Sequence, residues 1–407
     1  MRLLPVLIAV LCAALVAAAP VVSAPTSPAR PRLLLVGAAE DAARNGEAAA
    51  KMALAGEAGL DTIRITSIWH PGQTTVAGDE LATLERVADA ATANGIRLVV
   101  SVYPYGSATT PRYATTRKQF AAYTASIPRL VPSIRYVIVG NEPNLNRFWM
   151  PQFTKKGLDA AASSYLGLLA QTYDAIKAAA PGTIVIGGSL APRGGDDPRS
   201  SRPTHSPTRF ILDLGKAYRL SGRKRPVMDW FAIHPYPEHA RIPPTFAHPH
   251  STAISLADYG KLVGLLGRAF DGTRQRGSTL PIIYDEFGVQ TNQPDDKRLL
   301  YANQGMPSAG DAVDEATQGR YYRKALQLAA CQPNVVGLLF FHVSDEADLD
   351  RWQSGIFYAD DTPKASFTAV RDAIRVLRGE TAPDAARQLT CPAAAGATRV
   401  GAARSGR

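Results

Sequence analysis

Eight times along this chain a short β-branched apolar run gives way to a loop and then to an amphipathic stretch. That alternation constrains the fold more than any other feature. The apolar runs are 33–37, 62–68, 97–103, 136–140, 183–187, 229–234, 281–286 and 335–342. Between them lie patterns of helical period, such as 48–58, 80–94, 158–180, 259–270 and 318–330, and a last one, 366–378, follows the eighth run. Strands alternating with helices predict a parallel sheet whose strands are covered by the intervening helices. Eight such units close on themselves more readily than they extend an open sheet, which predicts an α/β architecture, the (β/α)₈ TIM barrel.

The connections differ by type. Helix-to-strand links are short, as at Asn94-Gly95, Pro181-Gly182 and Gln332-Pro333. Strand-to-helix links are long at 188–207, 237–257, 289–317 and 343–365, and are rich in Pro, Gly, Ser and Asp. In a barrel of this kind the strand-to-helix loops build the face that carries active sites. Loops this long without structure of their own are uncommon unless they are functional.

The ends read differently. Arg2, the apolar run 3–19 and Val22-Ser23-Ala24 predict a signal peptide over 1–24 and a secreted, extracellular product, with an uncleaved anchor as the alternative. A flexible leader, 25–31, precedes the barrel domain, 32–380, and a partly disordered tail rich in Ala, Pro, Arg and Gly fills 381–407. No second apolar stretch reaches membrane length, so no membrane contact is expected after signal cleavage. The net charge of +10 is scattered, apart from a small cluster at Arg219, Arg223, Lys224 and Arg225. No nucleic-acid motif accompanies it, so no nucleic-acid partner is expected, though weak attraction to acidic polymers follows from the charge. Cys12 falls in the signal, leaving Cys331 and Cys391 with one pairing available in an oxidising compartment, or else as two free thiols. No CxxC, HExxH or histidine–acid cluster joins His205, His248 and His250, so neither metal nor cofactor is expected. A monomer is expected.

Two strand ends carry the chemistry. The fourth closes in Gly140-Asn141-Glu142-Pro143-Asn144, and the seventh runs Pro281-Ile282-Ile283-Tyr284-Asp285-Glu286-Phe287-Gly288. Burial at a strand end raises a carboxyl pKa, as a general acid near neutral pH requires. Two carboxylates on facing walls of one barrel mouth suit double displacement if about 5–5.5 Å separates them. Asn141 can hydrogen-bond a sugar hydroxyl, a contact that strengthens in an oxocarbenium-like transition state. Strand alternation sends Asp285 to the other side, toward the helix layer.

Asn141-Glu142-Pro143 on strand four, His234-Pro235-Tyr236 on strand six and Glu286-Phe287-Gly288 on strand seven together resemble clan A of the glycoside hydrolases, with families 5 and 39 nearest. The resemblance spans about 32–378 and rests on the order, placement and separation of motifs that are individually weak. It implies Glu142 as acid/base, Glu286 as nucleophile and Asn141 as a ligand of the sugar 2-hydroxyl. The implied activity is that of a retaining glycosidase cleaving β-O-glycosidic bonds of an oligo- or polysaccharide. A transglycosylase using the same carboxylate pair, or a carbohydrate-binding barrel without catalysis, is the alternative.

Arg64 interrupts an apolar strand, and a guanidinium inside a barrel is costly unless paired. The nucleophile carboxylate is its natural partner, unless the strand is misread and Arg64 lies on the surface. Tyr236 can donate its hydroxyl to the same carboxylate, and His234 either ties the cluster together or is a structural histidine. The chain departs from the clan at strand eight, where Phe340-Phe341-His342 stands in place of the usual tryptophan. Phe341, His342 or a folded-back Trp352 is expected to form the sugar platform there. Strand three offers Tyr103-Pro104-Tyr105 where a family 5 enzyme tends to have histidine. Trp69, Trp149 and Trp352 fall at or beyond strand ends, where they stack on sugars or pack beneath loops.

Overall fold

The computed structural model describes residues 34–305, 310–380 and 391. The expected signal peptide, leader and all but one residue of the tail lie outside them. Eight strands, β1 (Leu35–Ala39), β2 (Thr62–Trp69), β3 (Arg97–Pro104), β4 (Tyr136–Val139), β5 (Ile184–Leu190), β6 (Trp230–Ile233), β7 (Ile282–Phe287) and β8 (Val335–Phe341), form a closed parallel barrel in chain order. β1 pairs with both β2 and β8, which completes the circle expected from the eightfold alternation.

The outer layer comprises α1 (Ala48–Glu57), α2 (Gly78–Ala93), α3 (Ala114–Leu130), α4 (Ala161–Ala179), α5 (Pro207–Leu220), α6 (Tyr259–Phe270), a short α7 (Asp295–Arg298), α8 (Glu315–Ala330) and α9 (Ser366–Leu377). Local chemistry sets their ends. Ser206 accepts from the Arg209 N–H at 3.2 Å ahead of Pro207, and Asp314 accepts from the Thr317 N–H at 2.6 Å; both occupy donors that a first helical turn leaves unpaired. α9 buries Phe367, Val370, Ala373 and Ile374, a three-four spacing that keeps one stripe on the sheet.

Alternation along the strands divides the core in two. Val99, Ile138, Ile186, Ala232, Ile283 and Leu339 fill the barrel interior, while neighbours such as Val100, Val137, Val185, Phe231, Ile282 and Leu338 pack outward beneath the helices. At β1 the sheet closes on Gly37, where a Cβ would stand 1.9 Å from the Thr62 carbonyl oxygen.

The long strand-to-helix loops are pinned by buried polar groups. Lys364 donates to Asp345 Oδ1 at 2.7 Å and to Thr291 Oγ1 at 2.8 Å, and Tyr301 donates to Asp345 Oδ2 at 2.7 Å. Lys51 on α1 reaches Ser344 at 3.2 Å and Asp361 at 2.5 Å. Charges this deep are tolerated because each is paired and hydrogen-bonded. The result is a fixed wall above β7 and β8. Cys331, next after α8, is disulfide-bonded to Cys391, the pairing expected from the sequence.

Candidate active site

An open cavity of about 920 Å³ occupies the barrel mouth at the carboxyl ends of the strands. Arg64, Asn141, Glu142, Tyr236, Glu286, Phe341, His342 and Trp352 all line it. Three non-glycine residues at the strand ends hold left-handed backbone conformations: Glu142 after β4 (φ 40°), Ser189 on β5 (φ 50°) and His342 after β8 (φ 79°). Such conformations cost of order 1–3 kcal/mol each and persist only where surroundings enforce them. For Glu142 the enforcement is visible, since its N–H donates to the Ser189 carbonyl at 2.8 Å.

Arg64 rises from β2 into the barrel and is almost fully buried. One terminal nitrogen donates to Glu286, and the other donates to Asn141 Oδ1 at 2.9 Å and to Ser101 Oγ at 3.3 Å. Its Nε lies 3.8 Å from Asp285 Oδ2. Burial opposes the charge, but Glu286 and then Asp285 outweigh it and hold the guanidinium protonated. The same contacts orient Asn141, whose amide nitrogen is left for a ligand.

Glu286 also accepts from the Tyr236 hydroxyl at 3.2 Å. Burial, followed by the negative charges of Glu286 and Glu142, pushes this phenol well above its ordinary value, so it remains a donor. Below the two glutamates sits His234, fully buried. Its Nδ1 lies 3.0 Å from Glu142 Oε1 and 3.3 Å from Glu286 Oε2, and its Nε2 lies 3.0 Å from Ser189 Oγ and 3.3 Å from Asp285 Oδ2. Burial lowers the imidazole pKa; Glu286 and Asp285 reverse this and, with hydrogen bonds to Asp285 and Glu142, push it up to about 10. These neighbours favour the imidazolium form of His234.

The structure corrects the reading of Asp285. This side chain does not face the helix layer; it points into the barrel, fully buried, among Ser189, His234 and Arg64. Burial pushes its pKa up, but His234 first and then Arg64 bring it below the usual carboxylate range. The β7–β8 ladder shifts register between Tyr284 and Phe287. Period two counted from the interior residue Ile283 places Asp285 inside, and the offset lets Glu286 turn toward the cavity as well.

The three tryptophans part company. Trp69 is buried, donates to the Gln73 carbonyl at 2.9 Å and packs edge-on against Phe120. Trp149 is buried, donates to Ser164 Oγ at 2.9 Å and meets Tyr165 edge-on. Neither lines the cavity, so the sugar-stacking reading does not hold for these two. Trp352 folds back over the mouth, 38% exposed, with ring centroids 5.5 Å from Tyr236 and 5.3 Å from Phe341. Phe341 in turn lies 4.1 Å from His342. Ser189, by contrast, drew no attention in the sequence, because β5 was expected to end two residues earlier; a Gly-Gly-Ser run at a strand end was the available signal.

No protein-family model matches the sequence, and no curated protein matches it either. Among solved structures, the fold is similar to a family 39 glycoside hydrolase from the gut symbiont Bacteroides cellulosilyticus WH2 (TM-score 0.60, 17% identity), covering 86% of this chain and 64% of that one. It is similar too to a family 5 enzyme variant from Streptomyces cattleya solved with Manβ1-4GlcNAc (TM-score 0.56, 15% identity, 86% and 82% covered). A family 39 β-xylosidase from Caulobacter crescentus gives a TM-score of 0.53 at 17% identity, with 84% and 71% covered. The likeness is one of fold. These neighbours belong to families 39 and 5, the two whose motifs the sequence resembles, and this chain spans just under two thirds of the first of them.

Proposed function

We propose that this chain is a secreted, monomeric glycosidase that cleaves β-O-glycosidic bonds with retention of configuration, through a covalent glycosyl-enzyme. The observation that carries the reading is the placing of both glutamates on one imidazole nitrogen. Glu142 Oε1 and Glu286 Oε2 stand 3.0 Å and 3.3 Å from His234 Nδ1. Two carboxylates that meet on one nitrogen form a closely spaced pair, which suits the roughly 5–5.5 Å separation used by retaining enzymes.

The roles follow from the neighbours. Glu286, held in place by Arg64 and Tyr236, attacks the anomeric carbon as nucleophile. Glu142 has no cation as close as Arg64 is to Glu286. With a proton on Glu142, Arg64 and His234 balance Asp285 and Glu286, and the cluster is neutral. Glu142 then protonates the departing oxygen, and later takes a proton from the water that releases the sugar. Asn141, oriented by Arg64, offers its amide to the sugar 2-hydroxyl. Trp352, with Phe341 and His342, forms an aromatic wall suited to the apolar face of a sugar ring.

A panel of aryl β-glycosides, read by release of the phenol and by NMR of the first sugar formed, tests the reading. Hydrolysis with the β-anomer appearing first is expected. An α-anomer appearing first, or no turnover of any member or of a polysaccharide panel, overturns it. Export is checked by the mature amino terminus, expected near Pro25.

A further inference from the structure

Asp285 lies outside the two-glutamate scheme, yet it sits at the centre of the buried charges. Its Oδ2 is 2.7 Å from Ser189 Oγ, 3.3 Å from His234 Nε2 and 3.8 Å from Arg64 Nε. Ser189 has one hydroxyl proton. Donated to Asp285, it leaves Ser189 Oγ an acceptor for His234 Nε2, 3.0 Å away. Nε2 therefore carries a proton. On the far side of the ring Nδ1 faces the Glu142 carboxyl at 3.0 Å and the Glu286 carboxylate at 3.3 Å. A bare nitrogen there would set its lone pair against the Glu286 anion, so Nδ1 carries a proton too.

We infer that Asp285 is a positioning residue that keeps His234 doubly protonated, so that a single Nδ1–H serves Glu286 and Glu142 in turn as negative charge passes between them. The inference rests on the glycosidase reading of the two glutamates. In the resting enzyme Glu286 is the anion and Glu142 holds a proton. As the Glu286 oxygen bonds to the anomeric carbon, the glycosidic C–O bond breaks and the Glu142 proton goes to the leaving oxygen. Glu286 is then a neutral ester, and Glu142 is the anion. The charge has moved from one partner of Nδ1 to the other, and the imidazolium has neither gained nor lost a proton. When water attacks the ester, its proton returns to Glu142, and Glu286 leaves as carboxylate. Throughout, Arg64 and His234 face two anions, one of which is always Asp285. A donor preorganised toward both positions of the charge needs no reorganisation at either step.

Other groups around the ring are compatible with this assignment. His234 meets Glu142 from the end of β4, Ser189 from β5, and Asp285 and Glu286 from β7, while Arg64 from β2 lies against both acids of β7. Tyr236, beyond β6, donates to Glu286 and stands edge-on to the imidazole.

The test is Asp285→Asn, which keeps the shape and removes the charge. Histidine ¹⁵N NMR on the full chain, with the His234 signals assigned by their loss in His234→Gln, reads the protonation directly. Both His234 nitrogens should be protonated at pH 7 in the parent, and in Asp285→Asn the ring should titrate at least about one pH unit lower. Loss of kcat, on the order of tenfold, should be similar for good and poor leaving groups, since both steps use the same N–H. Ser189→Ala, which leaves the ion pairs in place, should lower the titration by a smaller step and decides the matter if Asp285→Asn does not fold. A singly protonated His234 in the parent, or a titration unmoved by these substitutions, overturns the inference. Absence of any glycosidase activity would bring down the functional reading instead, with the NMR titration still reporting whether Asp285 governs His234.

Discussion

Arg64 meets Glu286, Asn141 and Ser101 from one planar head, and that geometry makes its replacement informative. Arg64→Met is expected to lower kcat/KM for an aryl β-glycoside by at least about tenfold, because it removes the donors that place Glu286 and Asn141. Steady-state kinetics near those of the parent would show that neither side chain depends on this contact. The tryptophans offer a second contrast. Trp352→Ala should raise KM several-fold with little change in thermal stability, because the ring stands over the cavity. Trp69→Ala should cost about 3–5 kcal/mol of stability, because that ring is fully buried; equilibrium unfolding separates the two. Glu142, Glu286 and Arg64 could be placed at the barrel mouth from the sequence because each interrupts or ends an apolar run, and Tyr236 because of the His234-Pro235-Tyr236 motif. Asp285 could not, because placing Glu286 at the mouth sends its neighbour outward under strict alternation, and the ladder offset that admits both is recorded by no local pattern.

β5 and β7 both depart from regular pairing close to the site, at Gly188/Leu190 and at Tyr284/Phe287. β5 carries Gly188 at φ 94°, where a Cβ would stand 2.6 Å from the Ala232 carbonyl oxygen and 2.8 Å from the Phe231 ring. Ser189 beside it supplies the carbonyl that fixes Glu142 and the hydroxyl that reaches Asp285. Gly188→Ala is therefore expected to cost roughly 2–3 kcal/mol through strain and overlap, and to lower kcat while leaving KM nearly unchanged, since it displaces the support of the acid. Denaturant unfolding and steady-state kinetics check both parts; a variant with parental stability and activity would show that the close approach is relieved cheaply. Strand existence followed from period and composition, but strand ends did not. β1 and β5 run two and three residues past their expected ends, where Ala38-Ala39 and Gly188-Ser189-Leu190 lack the β-branched character that marked the rest.

For the whole molecule, the eightfold alternation was enough to give the closed parallel barrel, and loop lengths were enough to pick the face that carries the cavity. What loops do once folded was less legible: Trp69 and Trp149 went beneath them and Trp352 came over the cavity, a choice made by long-range packing and by hydrogen-bond partners such as Gln73 and Ser164. The Cys331–Cys391 bond spans a separation of 60 residues. Constraining a loop of that length in the unfolded chain is worth up to roughly 4 kcal/mol, so reduction or Cys331→Ser should lower the melting temperature by several degrees. Two alkylatable thiols in the untreated protein would contradict the bond. The proposed division of labour between Glu142 and Glu286 is checked by azide rescue of Glu142→Ala and Glu286→Ala on a dinitrophenyl β-glycoside, with the products read by NMR. In Glu142→Ala the glycosyl-enzyme still forms and azide intercepts it, giving the β-glycosyl azide; in Glu286→Ala azide attacks from the emptied face and gives the α-anomer. Azides of the same anomeric configuration from both variants would contradict the assignment.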